Sequence, residues 1–237
     1  MPVDWEEFQN ESEDVSDYFS DVTINIHAAK KLMLKLAKRR LKIDIKKKGK
    51  VLRFPVAFFI LRGDRGGNAN EIAEEAISSI NYWNLCSGDN IDILFPGWDR
   101  ESDLISFDVV KFYEFQKEIE ASSKWIYGGE SEILLINFDY DPATTEGRFS
   151  FDESVSLPVE DMIKKGITSS VDALVNEIVS ISKSVDKPSV WEISDQFAIQ
   201  RARKSIWEYI KNKATGGFSK VYDELRPFAV CNLEKNS

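Results

Sequence analysis

The sequence predicts an α/β fold: a mostly parallel central sheet in a Rossmann-like three-layer arrangement, with an N-terminal extension and a helical C-terminal segment. Three observations predict it. Short, nearly continuous apolar runs occur at residues 56–61, 91–95 and 132–138, the mark of strands covered on both faces. Stretches with apolar residues at helical spacing separate them, and Gly, Pro, Asn and Asp cluster at the joints. Strand, helix, strand, helix, strand is the order that parallel pairing through crossover helices produces.

Residues 5–19 are acidic and carry Trp5, Phe8, Val15, Tyr18 and Phe19, which suit a short helix laid across the domain or an arm for a partner. An alternating stretch, 22–26, leads to His27, expected as a strand-end or cap residue. Leu32, Met33, Leu36 and Ala37 then fit a helix packed on one side, whereas Leu41, Ile43 and Ile45 alternate with Lys42 and Asp44 as a strand would. Pro55 and Gly63 bound the first apolar strand, 56–61. Beyond the loop, Ile72, Ala73, Ala76, Ile77 and Ile80 recur at helical spacing, and Asn68 with Glu71 resembles a capping box.

After the 91–95 strand and Pro96-Gly97, residues 98–101 read as a loop, 104–107 as a short element, and 108–121 as a helix with Val109, Phe112, Tyr113 and Ile119 inward. Residues 149–157 alternate imperfectly and suit an edge strand. Pro158 opens a short helix ending at Gly166, and Val171, Leu174, Val175, Ile178 and Val179 form the apolar stripe of a longer one. A linker at 186–189 precedes a helix at 194–213. The expected organisation is therefore an extension (1–50), an α/β core (51–185) and a C-terminal helical segment (186–237).

A chain of 237 residues, 43 % hydrophobic, is long enough to bury a large core. No stretch approaches the length of a membrane span and the first residues do not resemble a secretory signal, so the expectation is a cytoplasmic protein. Cys86 and Cys231 lack zinc-ligand spacing, and His27, as the only histidine, excludes sites built on several imidazoles.

The candidate site is the strand-to-helix loop. Arg62, Arg65, Gly66, Gly67 and Asn68 precede a helix whose free N–H groups and dipole favour an anion, and the glycines admit close backbone approach. The loop lacks both G-x-G-x-x-G and the Gly-Lys-Ser/Thr ending of a P-loop. Any strand-to-helix turn needs small residues and a cap, so the pattern is compatible with a plain turn as well. In a parallel sheet, loops 62–68, 98–101 and 139–147 would share the carboxyl edge, where ligands bind. There Asp139 and Asp141, with Asp64, would supply carboxylates for Mg²⁺, and Glu114 or Glu118 would be the acid of a glycosidic-bond hydrolase.

Charge is segregated. Residues 28–50 hold eleven Lys or Arg against Asp44 alone, a local +10, and with the chain at −9 the rest sums to −19. Such a block suits phosphate backbone, an acidic lipid surface, or internal pairing. The absence of aromatic residues between Ala28 and Lys50, together with the acidic remainder, disfavours nucleic acid as the main partner. The expectation is a non-catalytic binding protein that holds a phosphate-bearing, nucleotide-type ligand at residues 62–68 and contacts a protein partner through its terminal segments. The alternatives are a nucleotide-processing enzyme, either Mg²⁺-dependent through Asp64, Asp139 and Asp141 or a glycosidic-bond hydrolase, and a structural or assembly protein.

Overall fold

A computed structural model of the chain describes residues 25–43, 50–61, 68–88, 90–101, 104–184, 190, 193, 195, 196, 230, 231 and 233. In chain order the elements are α1 (Ile26–Ile43), β1 (Leu52–Ile60), α2 (Asn68–Ser87), β2 (Asp92–Leu94), β3 (Trp98–Glu101), β4 (Leu104–Phe107), α3 (Val109–Ser122), β5 (Glu132–Asp141), β6 (Glu146–Pro158), α4 (Val159–Lys164), α5 (Val171–Ser184) and β7 (Val230–Cys231). The α/β class holds. Of the expected helix at 194–213 only residues 195 and 196 are described, and the arm at 5–19 lies outside the described residues.

The sheet is mixed, in the order β2-β1-β5-β6-β7, and among the described strands only β1 and β2 pair in parallel. This corrects the mostly parallel expectation. After β2 the chain forms the β3–β4 hairpin and α3, and it re-enters the sheet beside the end of β1, with Ile60 opposite Glu132. A strand that re-enters at the edge its predecessor left must run antiparallel. β5 then turns directly into β6, a second antiparallel pairing.

Because β-strand side chains alternate faces, β1 and β5 feed two cores. Ala57, Phe59, Leu61, Ile133 and Leu135 pack with α2, α4 and α5; Val56, Phe58, Ile60, Leu134, Ile136 and Phe138 pack with α1 and α3. Pro55 falls inside β1, where β2 has not yet begun and a missing N–H is tolerated.

Several elements differ from expectation. α1 continues through Leu41 and Ile43, where alternation suggested a strand, because Ala29, Leu32, Met33 and Ala37 set a helical stripe that docks on the sheet. His27 is an exposed helix residue, and Asn25 is the cap, its Oδ1 accepting from the Ala28 N–H at 2.9 Å. Residues 98–101 are a strand, not a loop. On α3 the buried residues are Phe112, Phe115 and Ile119, while Val109 and Tyr113, expected inward, are exposed. β6 is an interior strand, with β7 on its far side. Among the described residues, no helix is long and apolar enough to cross a membrane.

Candidate functional site

The carboxyl end of β1 is built from large side chains that leave little freedom. Phe59 stacks on Phe95 with centroids 5.0 Å apart, and Trp83 of α2 lies 5.4 Å from Phe59. Leu61, which follows β1, is fully buried, and its carbonyl accepts a 2.7 Å hydrogen bond from the Trp98 indole N–H. That bond folds the β3–β4 hairpin onto this end. Gly97 makes the turn possible: its φ is +80°, and a Cβ there would lie 2.7 Å from the Phe112 Cβ. Asp108 closes the hairpin by donating its N–H to the Gly97 carbonyl at 2.7 Å, and it caps α3 by accepting from the Val110 and Lys111 N–H groups.

The bond from Trp98 to Leu61 joins the start of the second expected loop to the residue from which the first departs. Leu61 and Asn68 are the described ends of the first, and Trp98 begins the second. Arg62, Asp64, Arg65, Gly66 and Gly67 lie outside the described residues, as do the side chains of Asn68, Asp99 and Arg100.

The third loop is at the other edge. β5 runs antiparallel, so Asp139 stands opposite Arg53 near the start of β1, eight residues or roughly 26 Å from Leu61. The described strands thus do not bring Asp139 and Asp141 to the edge from which residues 62–67 leave. Both carboxylates also have other work. Asp139 takes two bonds from Arg53, Nε to Oδ1 at 2.8 Å and Nη2 to Oδ2 at 3.2 Å. Asp141 Oδ1 accepts from the Ala143 N–H at 2.9 Å, fixing the β5–β6 turn. No cluster of acidic, His or Cys side chains suited to a metal occurs among the described residues.

Sequence reading missed what surrounds Arg53. Its guanidinium also meets Asp152 at 3.0 Å and Glu153 at 3.4 Å, both on a bulge in β6. Leu135 pairs with Val155 and Asn137 with Ser150, so two steps along β5 face five along β6. Glu153 takes a φ of +58° to make that bend. The three extra residues are an odd number, so the side-chain phase flips: Phe149 and Phe151 pack with the α1 and α3 core, Val155 and Leu157 with the α2 and α5 core. The broken alternation of residues 149–157 was the readable trace of this bulge. Opposite it, Asn137 is fully buried, and neither of its side-chain polar atoms has a hydrogen-bond partner among the described residues.

The hydrogen bonds that Arg53 donates to Asp139, opposed by burial, hold its guanidinium well above the ordinary arginine range. A raised folded value means the contribution is complete below that range, so Arg53 brings no pH dependence near neutrality. Asp139→Ala is expected to lower stability by about 1–2 kcal/mol, the discounted worth of a bidentate pair with a part-exposed guanidinium. The loss should be equal with Mg²⁺ and with EDTA in thermal unfolding. A Mg²⁺-induced stabilisation of the natural protein that disappears in Asp139→Ala would restore a metal at this position.

Comparison with protein-family models, with curated proteins and with solved structures gives no match to this chain.

Proposed function

We propose that the protein is a non-catalytic binding module that holds a phosphate-bearing, nucleotide-type ligand at the carboxyl end of β1, with Arg62, Arg65, Gly66, Gly67 and Asn68 as the anion-contacting residues. One observation carries the reading: β1 and β2 are the parallel pair with α2 between them in sequence, so the chain leaving the buried end of β1 leads into the N-terminus of a 20-residue helix. A helix start offers unpaired N–H groups and the positive end of its dipole. The β3–β4 hairpin, tied to Leu61 by Trp98, adds a wall at the same edge. In an open α/β sheet the carboxyl end of parallel strands is where ligands collect. Contact with a protein partner belongs to the terminal segments, where Trp191, Trp207, Arg201 and Arg203 supply the residue types that dominate interfaces. Nothing around Asp139 favours the Mg²⁺-dependent enzyme, because its carboxylate is engaged by Arg53.

The test is thermal unfolding of the full chain against nucleotides, dinucleotides and cyclic nucleotides, with and without Mg²⁺. A ligand at about 100 times its Kd adds roughly 2.7 kcal/mol, which for a chain of this size raises Tm by about 5–10 °C. That increment is expected to vanish in Arg62→Ala, whose own Tm should match the natural protein within about 2 °C. If no compound in the panel shifts Tm, the reading fails.

A further inference from the structure

Helices α1 and α3 lie on one face of the sheet. Ala29, Leu32, Met33 and Ala37 of α1 and Phe112, Phe115 and Ile119 of α3 share a single buried cluster with Phe58, Leu134 and Ile136. His27 Nε2 of α1 stands 3.4 Å from a Glu118 oxygen of α3, so the helices are neighbours. Each must then present its opposite stripe on the same side of the molecule, away from the sheet.

The two outward stripes differ in chemistry. On α1, His27, Lys31, Lys35, Lys38 and Arg39 are exposed at helical spacing, with Lys30 exposed beside them. No acidic residue occurs anywhere in this helix. On α3 Val110 is 62 % exposed and Tyr113 48 %, beside exposed Glu114 and Lys117, and Ile126 just beyond the helix is 77 % exposed. Exposed apolar side chains grouped in this way mark an interaction surface. A duplex backbone would use the cations and gain nothing from Val110 or Ile126. An uncharged protein surface would use the apolar residues and leave the cations unmatched. An interface that offers anionic head groups above acyl chains uses both.

We propose that this outward face of α1 and α3 docks on an anionic lipid bilayer, the α1 cations meeting acidic head groups and Val110, Tyr113 and Ile126 entering the interfacial layer. The excess acid elsewhere in the chain does not oppose this. At physiological salt, charges more than about 8 Å from the bilayer are screened, and segregation of charge orients the basic face toward it.

Co-sedimentation of the full chain with vesicles tests the proposal. Vesicles of phosphatidylcholine with about 30 % phosphatidylserine are expected to retain the protein, and vesicles of phosphatidylcholine alone are not. Each Lys or Arg near such a surface is worth about fivefold in partitioning, so a Lys31→Glu, Lys38→Glu, Arg39→Glu triple variant should lose at least about 100-fold. Val110→Ser with Tyr113→Ser should lose roughly 10-fold through lost apolar contact while the salt dependence remains. The three α1 positions are exposed, so Tm should not move in the triple variant, and Tyr113→Ser, which loses a ring contact with Phe112, should lower it by only a few °C. Equal retention on both vesicles, or on neither, overturns the proposal. Tighter binding to a short DNA duplex than to the acidic vesicles, indifferent to Val110 and Tyr113, also overturns it and reassigns the face to nucleic acid.

Discussion

Asp92→Ala is expected to destabilise the protein by about 3–5 kcal/mol, the penalty for leaving one member of a buried ion pair without its counter-charge. Asp92 begins β2 and is 7 % exposed, and Arg40 of α1, 11 % exposed, grips it with two parallel bonds of 2.8 and 2.9 Å. The guanidinium also lies over the Phe54 ring, 5.1 Å from its centroid. One side chain thus ties α1 to both β1 and β2. At about 2–4 °C per kcal/mol for a chain of this size, thermal unfolding should shift down by roughly 10–15 °C. The neighbouring Arg39 is exposed, so Arg39→Met should change stability by no more than about 0.5 kcal/mol although it too removes a unit charge. Pairing Asp92→Leu with Arg40→Met should recover most of the loss, because two apolar groups replace two buried charges. A shift of under about 3 °C in the single variant would mean that α1 is held without this pair.

The contrast between Arg39 and Arg40 shows what can be read from sequence and what cannot. That residues 28–50 are basic is plain from the residues, but periodicity gives no means of telling the arginine that turns inward from the one beside it. The α/β class was readable because residues 56–61 and 132–138 are covered on both faces and so are apolar throughout. The direction of β5 was not, since an apolar run has no polarity and the antiparallel β3–β4 hairpin is made of strands of only four residues. Strand direction decides the place of Asp139: a parallel β5 puts its loop beside residues 62–68, and the antiparallel one puts it at the opposite edge. Its partner Arg53 is 86 positions away in sequence and becomes adjacent only through strand pairing. On α3, Val109 and Tyr113 share one stripe, but Phe115 with Phe112 and Ile119 forms a heavier one about a quarter-turn or more away, and the larger apolar area wins the core.

The second large effect expected is at Trp83, which places the helix on which the proposed ligand site depends. Its side chain is fully buried against Phe59 and Phe95, and its indole N–H donates to Asp172 Oδ1 at 2.7 Å. The Asp172 N–H in turn donates to Glu75 Oε1 at 3.1 Å, so α2 and the first turn of α5 are bound in both directions. Trp83→Ala removes a stacked ring and leaves a cavity between sheet and helix. A loss of about 3–5 kcal/mol is expected, seen as a fall in Tm of roughly 10–15 °C. Trp83→Phe keeps most of the stack and deletes only the donor to Asp172, so its loss should be nearer 1–3 kcal/mol. Trp83 lies just over four turns along α2 from Asn68, one of the residues proposed to contact the ligand. The ligand-induced rise in Tm should therefore persist in Trp83→Phe on a lowered baseline, whereas Arg62→Ala should keep the baseline and lose the rise. If Trp83→Phe abolished the rise while Arg62→Ala did not, the ligand would have to sit between α2 and α5 rather than at the carboxyl end of β1.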